Sequence, residues 1–190
     1  MPPNYQSPKE RMEAHVSRFR KYFIEPFVSS NNPPRFDARG VALGLFIGFG
    51  VPIGAQMVCL GLLRLLMRFN IIIAFVFTWV NNPLSLLPMY YGYYMLGSLL
   101  MGKPAVMSAA DFSELMEPVL RSHHFWGSVH AFIVLGGDLL MRWSLAAVSI
   151  ATLAAIVGYL IGYRVQRARC VRTAEKLGIT YRKLLEQLEK

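Results

Sequence analysis

The 190-residue chain is apolar and poor in charge, with 54% hydrophobic and 16% charged residues, whereas an average soluble domain is about 25% charged. Its 20 Lys and Arg outnumber its 11 Asp and Glu, so the formal net charge is +9. Residues 40–63, 69–102 and 143–163 contain no Asp, Glu, Lys or Arg. This pattern excludes a disordered chain, a disulfide scaffold, a conventional nucleic-acid binder and an ordinary soluble domain. It predicts a membrane protein.

The first segment, residues 1–36, is predicted to form a cytoplasmic amphipathic helix and a linker. Ser7 and Glu10 fit a capping box with Pro8 at the first helical position, and apolar residues then recur at spacings of three and four over 7–28. Because the opposite side is basic, we expect this helix to lie on an anionic lipid surface. Packing against another helix is the alternative. No cleavable signal peptide is expected.

The membrane domain is predicted to span 37–163, and its first apolar run, 40–63, is long enough as a helix to cross about 30 Å of hydrocarbon. Pro52 and three nearby glycines lie in the middle of this run. Proline removes a helical hydrogen bond and glycine weakens a helix, so the run is predicted to be broken. Asp37 is predicted to cap a helix that begins near Ala38.

The second apolar run, 69–102, has a length that fits no simple span. As one helix it would measure about 50 Å, too long for one crossing and short for two with a turn. Asn82 and Pro83 interrupt it near its first third, which predicts a half-span over 69–81 and a full or tilted span over 83–102. Its tyrosines are predicted to be interfacial anchors; they are Tyr90, Tyr91, Tyr93 and Tyr94.

The remaining segments are predicted to be an outward-facing loop over 103–128, a final membrane segment over 129–163 and a basic cytoplasmic helix over 164–190. Asp138 and Arg142 are spaced to pair along a helix. Aromatic residues at the two ends of 143–163 resemble interfacial belts; they are Trp143, Tyr159 and Tyr163.

The distribution of charge predicts the topology. Lys and Arg concentrate at the two ends of the chain, which places both termini in the cytoplasm of a bacterial inner membrane. Three simple crossings would put the C-terminal basic residues outside. A re-entrant hairpin over 40–63 removes this conflict and keeps Arg64 and Arg68 inside; two spans within 69–102 are the alternative. The predicted fold class is therefore all-α, a small polytopic protein with two broken segments, re-entrant or discontinuous, and amphipathic cytoplasmic terminal helices.

The two broken segments predict a ligand site. Irregular backbone survives in hydrocarbon only against protein or a wet cavity, and paired broken helices mark binding sites in transporters. Arginines at the cytoplasmic rim would hold a phosphate headgroup. The alternative is that the asparagines only cap helices and the arginines only follow the positive-inside rule. The candidate ligand-binding residues are Arg39, Pro52, Gln56, Arg64, Arg68, Asn70, Thr78, Asn81, Asn82 and Pro83.

Glycines repeat every four residues in two places, which allows helices to approach closely within the chain or in a homo-oligomer. They are Gly40, Gly44 and Gly48, and then Gly158 and Gly162.

Catalytic signals are weak throughout the chain. No nucleophile–His–acid set, P-loop or dinucleotide motif stands out, and the histidines match no zinc spacing; they are His123, His124 and His130. We therefore expect no enzymatic activity, no cofactor and no metal.

Three stretches carry a family resemblance. They are Arg39-Gly40-Val41-Ala42-Leu43-Gly44, Pro52-Ile53-Gly54-Ala55-Gln56 and Thr78-Trp79-Val80-Asn81-Asn82-Pro83. Together they resemble a bacterial membrane protein family known as domain of unknown function 2062 (DUF2062), over about residues 18–163. The resemblance implies a small inner-membrane protein, in some relatives joined to a glycosyltransferase domain, which makes an envelope glycosyltransferase an expected partner.

The leading functional hypothesis is a membrane protein that binds or translocates a lipid-linked phosphate or small amphiphile between the broken segments. Its expected partners are anionic membrane lipids, and no nucleic acid is expected. A non-catalytic membrane-organising or scaffold protein is the alternative, and a small-solute channel is a further one.

Overall fold

A computed structural model describes residues 32–52, 54–121 and 136–189. In these ranges helices are the only regular secondary structure, which confirms the all-α prediction for the part described. The predicted helix over 7–28 lies outside the described residues, and so do the histidines of the 103–128 loop. The helices are α1 (Pro34–Gly50), α2 (Gln56–Leu66), α3 (Ile71–Thr78), α4 (Pro83–Leu100), α5 (Ala109–Arg121), α6 (Gly137–Leu177) and α7 (Tyr181–Leu188).

Helix α1 begins at Pro34, four residues earlier than predicted. Proline suits the first helical position because it has no N–H group to satisfy. Asp37 is therefore in the first turn and does not cap the helix, so the capping prediction was wrong. The side chain is fully buried, and its Oδ1 accepts a hydrogen bond of 2.8 Å from Asn70 Nδ2.

Helices α1 and α2 form a hairpin whose turn contains Pro52. The connection over 51–55 includes Gly54 at φ 97°, a backbone conformation that favours glycine. At the other end of α2, the Arg64 guanidinium carbon lies 5.9 Å from the centre of the Phe36 ring, near the start of α1. The chain therefore reverses its direction within the first apolar run.

The repeated glycines of α1 face α3. A Cβ atom at Gly44 would lie under 3.0 Å from the backbone of Ala74, and one at Gly40 would collide with the Asn70 carbonyl. Gly48, near the end of α1, in turn meets residues near the end of α3, so later residues of α1 contact later residues of α3. Helices α1 and α3 are thus parallel and closely packed.

The glycines of α6 pack against a different face of α1 from the one that contacts α3. Gly158 contacts Leu45 and Val41, whereas Gly162 contacts Val41 and Ala38, so α6 runs antiparallel to α1. Both glycine repeats are therefore used for packing within the chain. A homo-oligomer stays a prediction.

The tyrosines of α4 are buried in a cluster with aromatic residues from two other helices. Tyr90, Tyr93 and Tyr94 are 6%, 3% and 2% exposed, and the cluster includes Phe112 of α5 and Trp143 of α6. The anchor prediction was wrong for these tyrosines, and the belt prediction was wrong for Trp143. The physical reason is that α5 and α6 cover this face of α4.

Helix α6 is 41 residues long, or about 60 Å. Of the described helices, it is the one long and apolar enough to cross a membrane by length and composition. It continues into the basic segment predicted over 164–190 and ends at Leu177, and Gly178 follows as a left-handed C-cap with a φ of 64°. The apolar run and the start of the basic segment thus form one continuous helix.

Contacts with α6 show at which position along the α6 axis each of the other helices lies, and this position is called its height. Gly97 of α4 meets Arg142, Gly50 at the end of α1 meets Ala151, and Ala38 near its start meets Gly162. At 1.5 Å per residue these three heights are separated by about 14 Å and about 16 Å. The turn after α1 therefore lies near the middle of the charge-free run of α6.

The N-terminus of α5 carries a pH-sensitive cap. The Ser108 hydroxyl donates to Asp111 Oδ2 (2.8 Å), and the backbone N–H of Asp111 donates to Ser108 Oγ (3.2 Å). The hydrogen bonds from Ser108 hold the pKa of the Asp111 carboxyl below its usual range. Because this pKa is lowered by folding, the cap stabilises α5 above about pH 4 and is lost as the pH falls through the folded-state pKa.

We therefore expect the protection of the α5 amides against hydrogen exchange, relative to the intrinsic rate at each pH, to fall in acid in the native protein. Asp111→Asn should show weaker protection already at neutral pH and little further loss of protection in acid. Equal exchange in the two proteins at neutral pH would contradict this role for Asp111.

Candidate functional site

The two helix interruptions, at 51–55 and 79–82, meet at one cavity of about 220 Å³. At about 30 Å³ per water molecule, this volume holds roughly seven waters or one small headgroup. The lining residues are Gly54, Gln56, Met57, Thr78, Trp79, Asn81 and Asn82.

Two of the lining side chains donate hydrogen bonds within their own segments. Thr78 Oγ1 donates to the Phe75 carbonyl at 2.6 Å, and Gln56 Nε2 donates to the Val51 carbonyl at 3.2 Å. Both side chains are buried. These bonds satisfy carbonyl groups that the ends of α1 and α3 leave without helical partners.

Asn82 is the N-cap of α4. Its Oδ1 accepts from the N–H groups of Leu84 (2.9 Å) and Ser85 (3.1 Å), and the Ser85 hydroxyl accepts from the Asn82 N–H (2.9 Å) in return. Pro83 follows as the first helical residue and has no N–H. The N–H groups at the start of α4 are thus paired. For Asn82 the structure shows the alternative role given above, that of a helix cap.

Replacing Asn82 by Ala should lower the free energy of unfolding by about 1 kcal/mol, because the cap is lost. Ser149→Ala is the control, since this exposed hydroxyl only donates back to the Leu145 carbonyl of its own helix. Thermal unfolding in detergent would measure both. Equal stability of the two variants would contradict the capping role.

Asn81 differs from Asn82, because one of its side-chain polar atoms has no hydrogen-bond partner in the described part of the chain. The residue is 5% exposed and its side-chain amide hydrogen-bonds the Tyr90 hydroxyl. Its Oδ1 is buried without a hydrogen-bond partner among the described residues. A buried acceptor in this state costs about 1–3 kcal/mol, and Asn81 is one of the residues that line the cavity.

The predicted rim arginines lie at the other end of α1. Arg39 Nη1 donates to the Arg68 carbonyl (3.5 Å) and Arg64 Nη1 to the Phe69 carbonyl (3.3 Å). All three arginines are exposed, and no acidic side chain in the described part of the chain pairs with them. Asn70 belongs to this end, where its Oδ1 caps α3 by accepting from the Ile73 N–H (3.2 Å).

The ten predicted site residues therefore form two groups. From Arg39 to the end of α1 at Gly50 the helix rises by about 16 Å. Arg39, Arg64, Arg68 and Asn70 form the arginine end. Gln56, Thr78, Asn81 and Asn82 line the break cavity, whereas Pro52 lies in the connection between α1 and α2 and Pro83 begins α4.

A third polar group lies beyond the cavity, at the start of α6. The predicted pair is present, with Arg142 Nε donating to Asp138 Oδ2 at 2.7 Å. Lys103 also pairs with Asp138, and Arg142 Nη1 donates to Ser98 Oγ (2.5 Å) and to the Pro104 carbonyl (3.1 Å). Lys103 and Ser98 were not among the predicted site residues, although Lys103 is one of the two Lys and Arg residues in 102–141.

A family model described as "Uncharacterized protein conserved in bacteria (DUF2062)" matches residues 16–175. The match includes both helix interruptions and the arginine end. No curated protein and no solved structure matches the chain.

Proposed function

Because the chain belongs to the bacterial DUF2062 family, we propose that it is an inner-membrane protein that binds or translocates a lipid-linked phosphate or another small amphiphile. The observation that carries this proposal is the meeting of two helix interruptions at one cavity. Broken helices bring unpaired backbone groups and polar side chains into a site, and transporters place such sites near the bilayer midplane.

In the proposed topology, α6 crosses the membrane through 143–163. Gly50 packs on Ala151, so the cavity would lie near the midplane. Helices α1 and α2 would form a re-entrant hairpin, and α3 and α4 would form one discontinuous crossing. Both termini would be cytoplasmic, because the arginine end has the height of Gly162, just before the basic part of α6.

The arginine end would receive the phosphate at the cytoplasmic surface. Guanidinium groups make bidentate contacts to phosphate oxygens. Arg39 and Arg64 each use one nitrogen on a backbone carbonyl, which leaves their other N–H groups to bind an anion. Anionic membrane lipids are the proposed partners of this surface.

The proposal is tested with the full chain in phosphatidylcholine vesicles containing fluorescent phosphatidate. We expect accelerated movement of this lipid between leaflets, and we expect Arg39→Gln combined with Arg64→Gln to weaken phosphatidate binding by about tenfold or more. Arg172→Gln, on the basic part of α6, is the matched control. Movement at the rate of empty vesicles, together with binding unaffected by the double variant, would overturn the proposal.

A non-catalytic scaffold, acting as a partner of envelope glycolipid enzymes, is the second candidate. It is favoured by the use of Asn70 and Asn82 as helix caps, which explains them without a ligand. It predicts that deletion of 1–30 or 170–190 abolishes function, whereas a cavity variant such as Asn81→Leu does not. A small-solute channel remains the third candidate, and in all three the protein is proposed to act without catalysis.

A further inference from the structure

We infer that Lys103, Asp138 and Arg142, called here the Asp138 cluster, form a second anion site that receives a phosphate monoester at the outer surface of the membrane. This inference rests on the proposed function and deepens it, because it names the place at which a translocated lipid phosphate would arrive. In the cluster without ligand, the Asp138 carboxylate holds the position that the phosphate would take.

The cluster contains two cations for one anion. Asp138 Oδ1 pairs with Lys103, and Asp138 Oδ2 accepts from Arg142 Nε at 2.7 Å. The side chains of Lys103 and Asp138 are 46% and 53% exposed, so water and solutes reach them. Exposed ion pairs contribute little to stability, and an incoming anion can therefore replace the carboxylate between the two cations.

Arg142 would stay in place when Asp138 moves away. Its Nη1 donates to Ser98 Oγ (2.5 Å) and to the Pro104 carbonyl (3.1 Å), and neither bond involves Asp138. Its Nη2 has no hydrogen-bond partner in the described part of the chain and is not one of the buried unpaired atoms, so it is open to solvent. The guanidinium is thus fixed and still has an accessible donor.

The accessible donor lies on the edge of the guanidinium that binds oxyanions. Nε and Nη2 form one side of the planar fork, and this side makes two parallel hydrogen bonds to a phosphate. Asp138 occupies only Nε. A phosphate would accept from Nε and Nη2 together and pair with the Lys103 ammonium, which gives it more donors than the carboxylate has now.

In the proposed topology the cluster lies at the depth of a lipid headgroup. Asp138 precedes Trp143, the first residue of the last charge-free run, by five residues, or about 8 Å along α6. The headgroup layer outside the hydrocarbon is about 5–8 Å thick. A phosphate attached to a lipid can therefore reach the Asp138 cluster without leaving the membrane.

The distance between the Asp138 cluster and the arginine end matches the hydrocarbon layer. The arginine end has the height of Gly162, which is about 30 Å along α6 from Arg142, and the hydrocarbon layer is about as thick. The break cavity lies between them near Ala151, and its lining residues are uncharged. The chain therefore has a cationic group for each headgroup layer.

The test measures equilibrium binding of dioleoylphosphatidate to the full chain in phosphatidylcholine nanodiscs. All proteins compared carry Arg39→Gln and Arg64→Gln, which weaken the arginine end, so the remaining binding reports on the Asp138 cluster. Adding Asp138→Asn should strengthen this binding about fivefold, the effect of removing one competing charge at about 4 Å in water. Adding Lys103→Gln instead should weaken it by a similar factor.

Asp111→Asn is the matched control, because it removes the same charge on the same side of the proposed membrane. Asp111 is bound to Ser108 and forms no ion pair with a described residue, so this variant should leave phosphatidate binding unchanged. Glycerol 3-phosphate as a competitor distinguishes two sources of the phosphate. Competition assigns the site to free phosphate monoesters and its absence to lipids, and either result agrees with the inference when Asp138→Asn strengthens binding.

Binding that is unchanged or weakened by Asp138→Asn would overturn the inference, because a purely structural ion pair competes with no ligand. An equal gain in Asp111→Asn, or no residual binding in the Arg39 and Arg64 background, would also overturn it. In each case the proposed function stands if the native chain binds and moves phosphatidate. If the native chain does not bind it, both fail. If Asp138→Asn does not fold, Lys103→Gln decides, and unchanged binding in that variant overturns the inference.

Discussion

Replacing Gly97 by Ala is expected to lower the free energy of unfolding by about 3 kcal/mol. Gly97 lies where α4 crosses α6, and an added Cβ would lie under 3.0 Å from three backbone atoms of Arg142. Backbone atoms cannot rotate away as a side chain can, so the two helices would have to separate. Overpacking of this kind costs about 1–3 kcal/mol, with backbone collisions at the upper end.

Gly92 provides the matched control, because it lies in the same helix and an added Cβ there meets no atom within 4 Å. Gly92→Ala should be neutral or stabilise the protein by up to about 1 kcal/mol, the helix-propensity difference between the two residues. Unfolding in a denaturing detergent titration would compare the variants. Equal stability of Gly97→Ala and Gly92→Ala would show that α4 and α6 are not in contact at Gly97.

Arg142→Met is expected to lower the free energy of unfolding by about 2–3 kcal/mol. The Arg142 side chain is 11% exposed, and it joins α4, the following loop and α6 through Ser98, Pro104 and Asp138. Its guanidinium carbon also lies 5.5 Å from the centre of the Tyr94 ring. Hydrogen bonds to a charged group contribute about 1.5–3 kcal/mol, and Ser98, which is 1% exposed, would lose its bond to Arg142.

Arg182→Met is the control for this variant, because Arg182 and Glu186 form an ion pair with the same i,i+4 spacing on α7. Their side chains are 89% and 64% exposed. Exposed pairs contribute little, so thermal unfolding of Arg182→Met should match that of the native chain. A loss at Arg142 no larger than at Arg182 would show that the Arg142 hydrogen bonds do not hold α4 against α6.

The local pattern of the sequence accounts for the family, the all-α class and the Asp138–Arg142 pair. Each depends on residues close together in the chain. Arg142 follows Asp138 by one helical turn, so helix geometry alone brings them together. The glycine repeats likewise predict close packing, although their spacing does not say which helix they contact.

The environment of the aromatic residues depends on segments that are distant in the chain. A tyrosine next to an apolar run has the same sequence signature at a lipid interface as in a helix–helix contact. Tyr94 is in the contact, because Phe112 and Arg142 from distant segments cover it. Only the packing of α5 and α6 decides between the two environments.

For the candidate site too, some features follow from the local sequence and others only from the packing of the helices. The sequence by itself predicts an apolar helical protein whose first two apolar runs are each interrupted, at Pro52 and at Asn82–Pro83. These features depend only on composition and on local backbone chemistry. Tertiary structure decided that the arginines lie about 16 Å from the break cavity. It also decided that Asn82 is a cap, whereas the Oδ1 of the adjacent Asn81 is buried without a hydrogen-bond partner among the described residues. Two neighbouring asparagines are equivalent in sequence, and only the atoms that surround each one distinguish a helix cap from a buried amide with an unpaired oxygen.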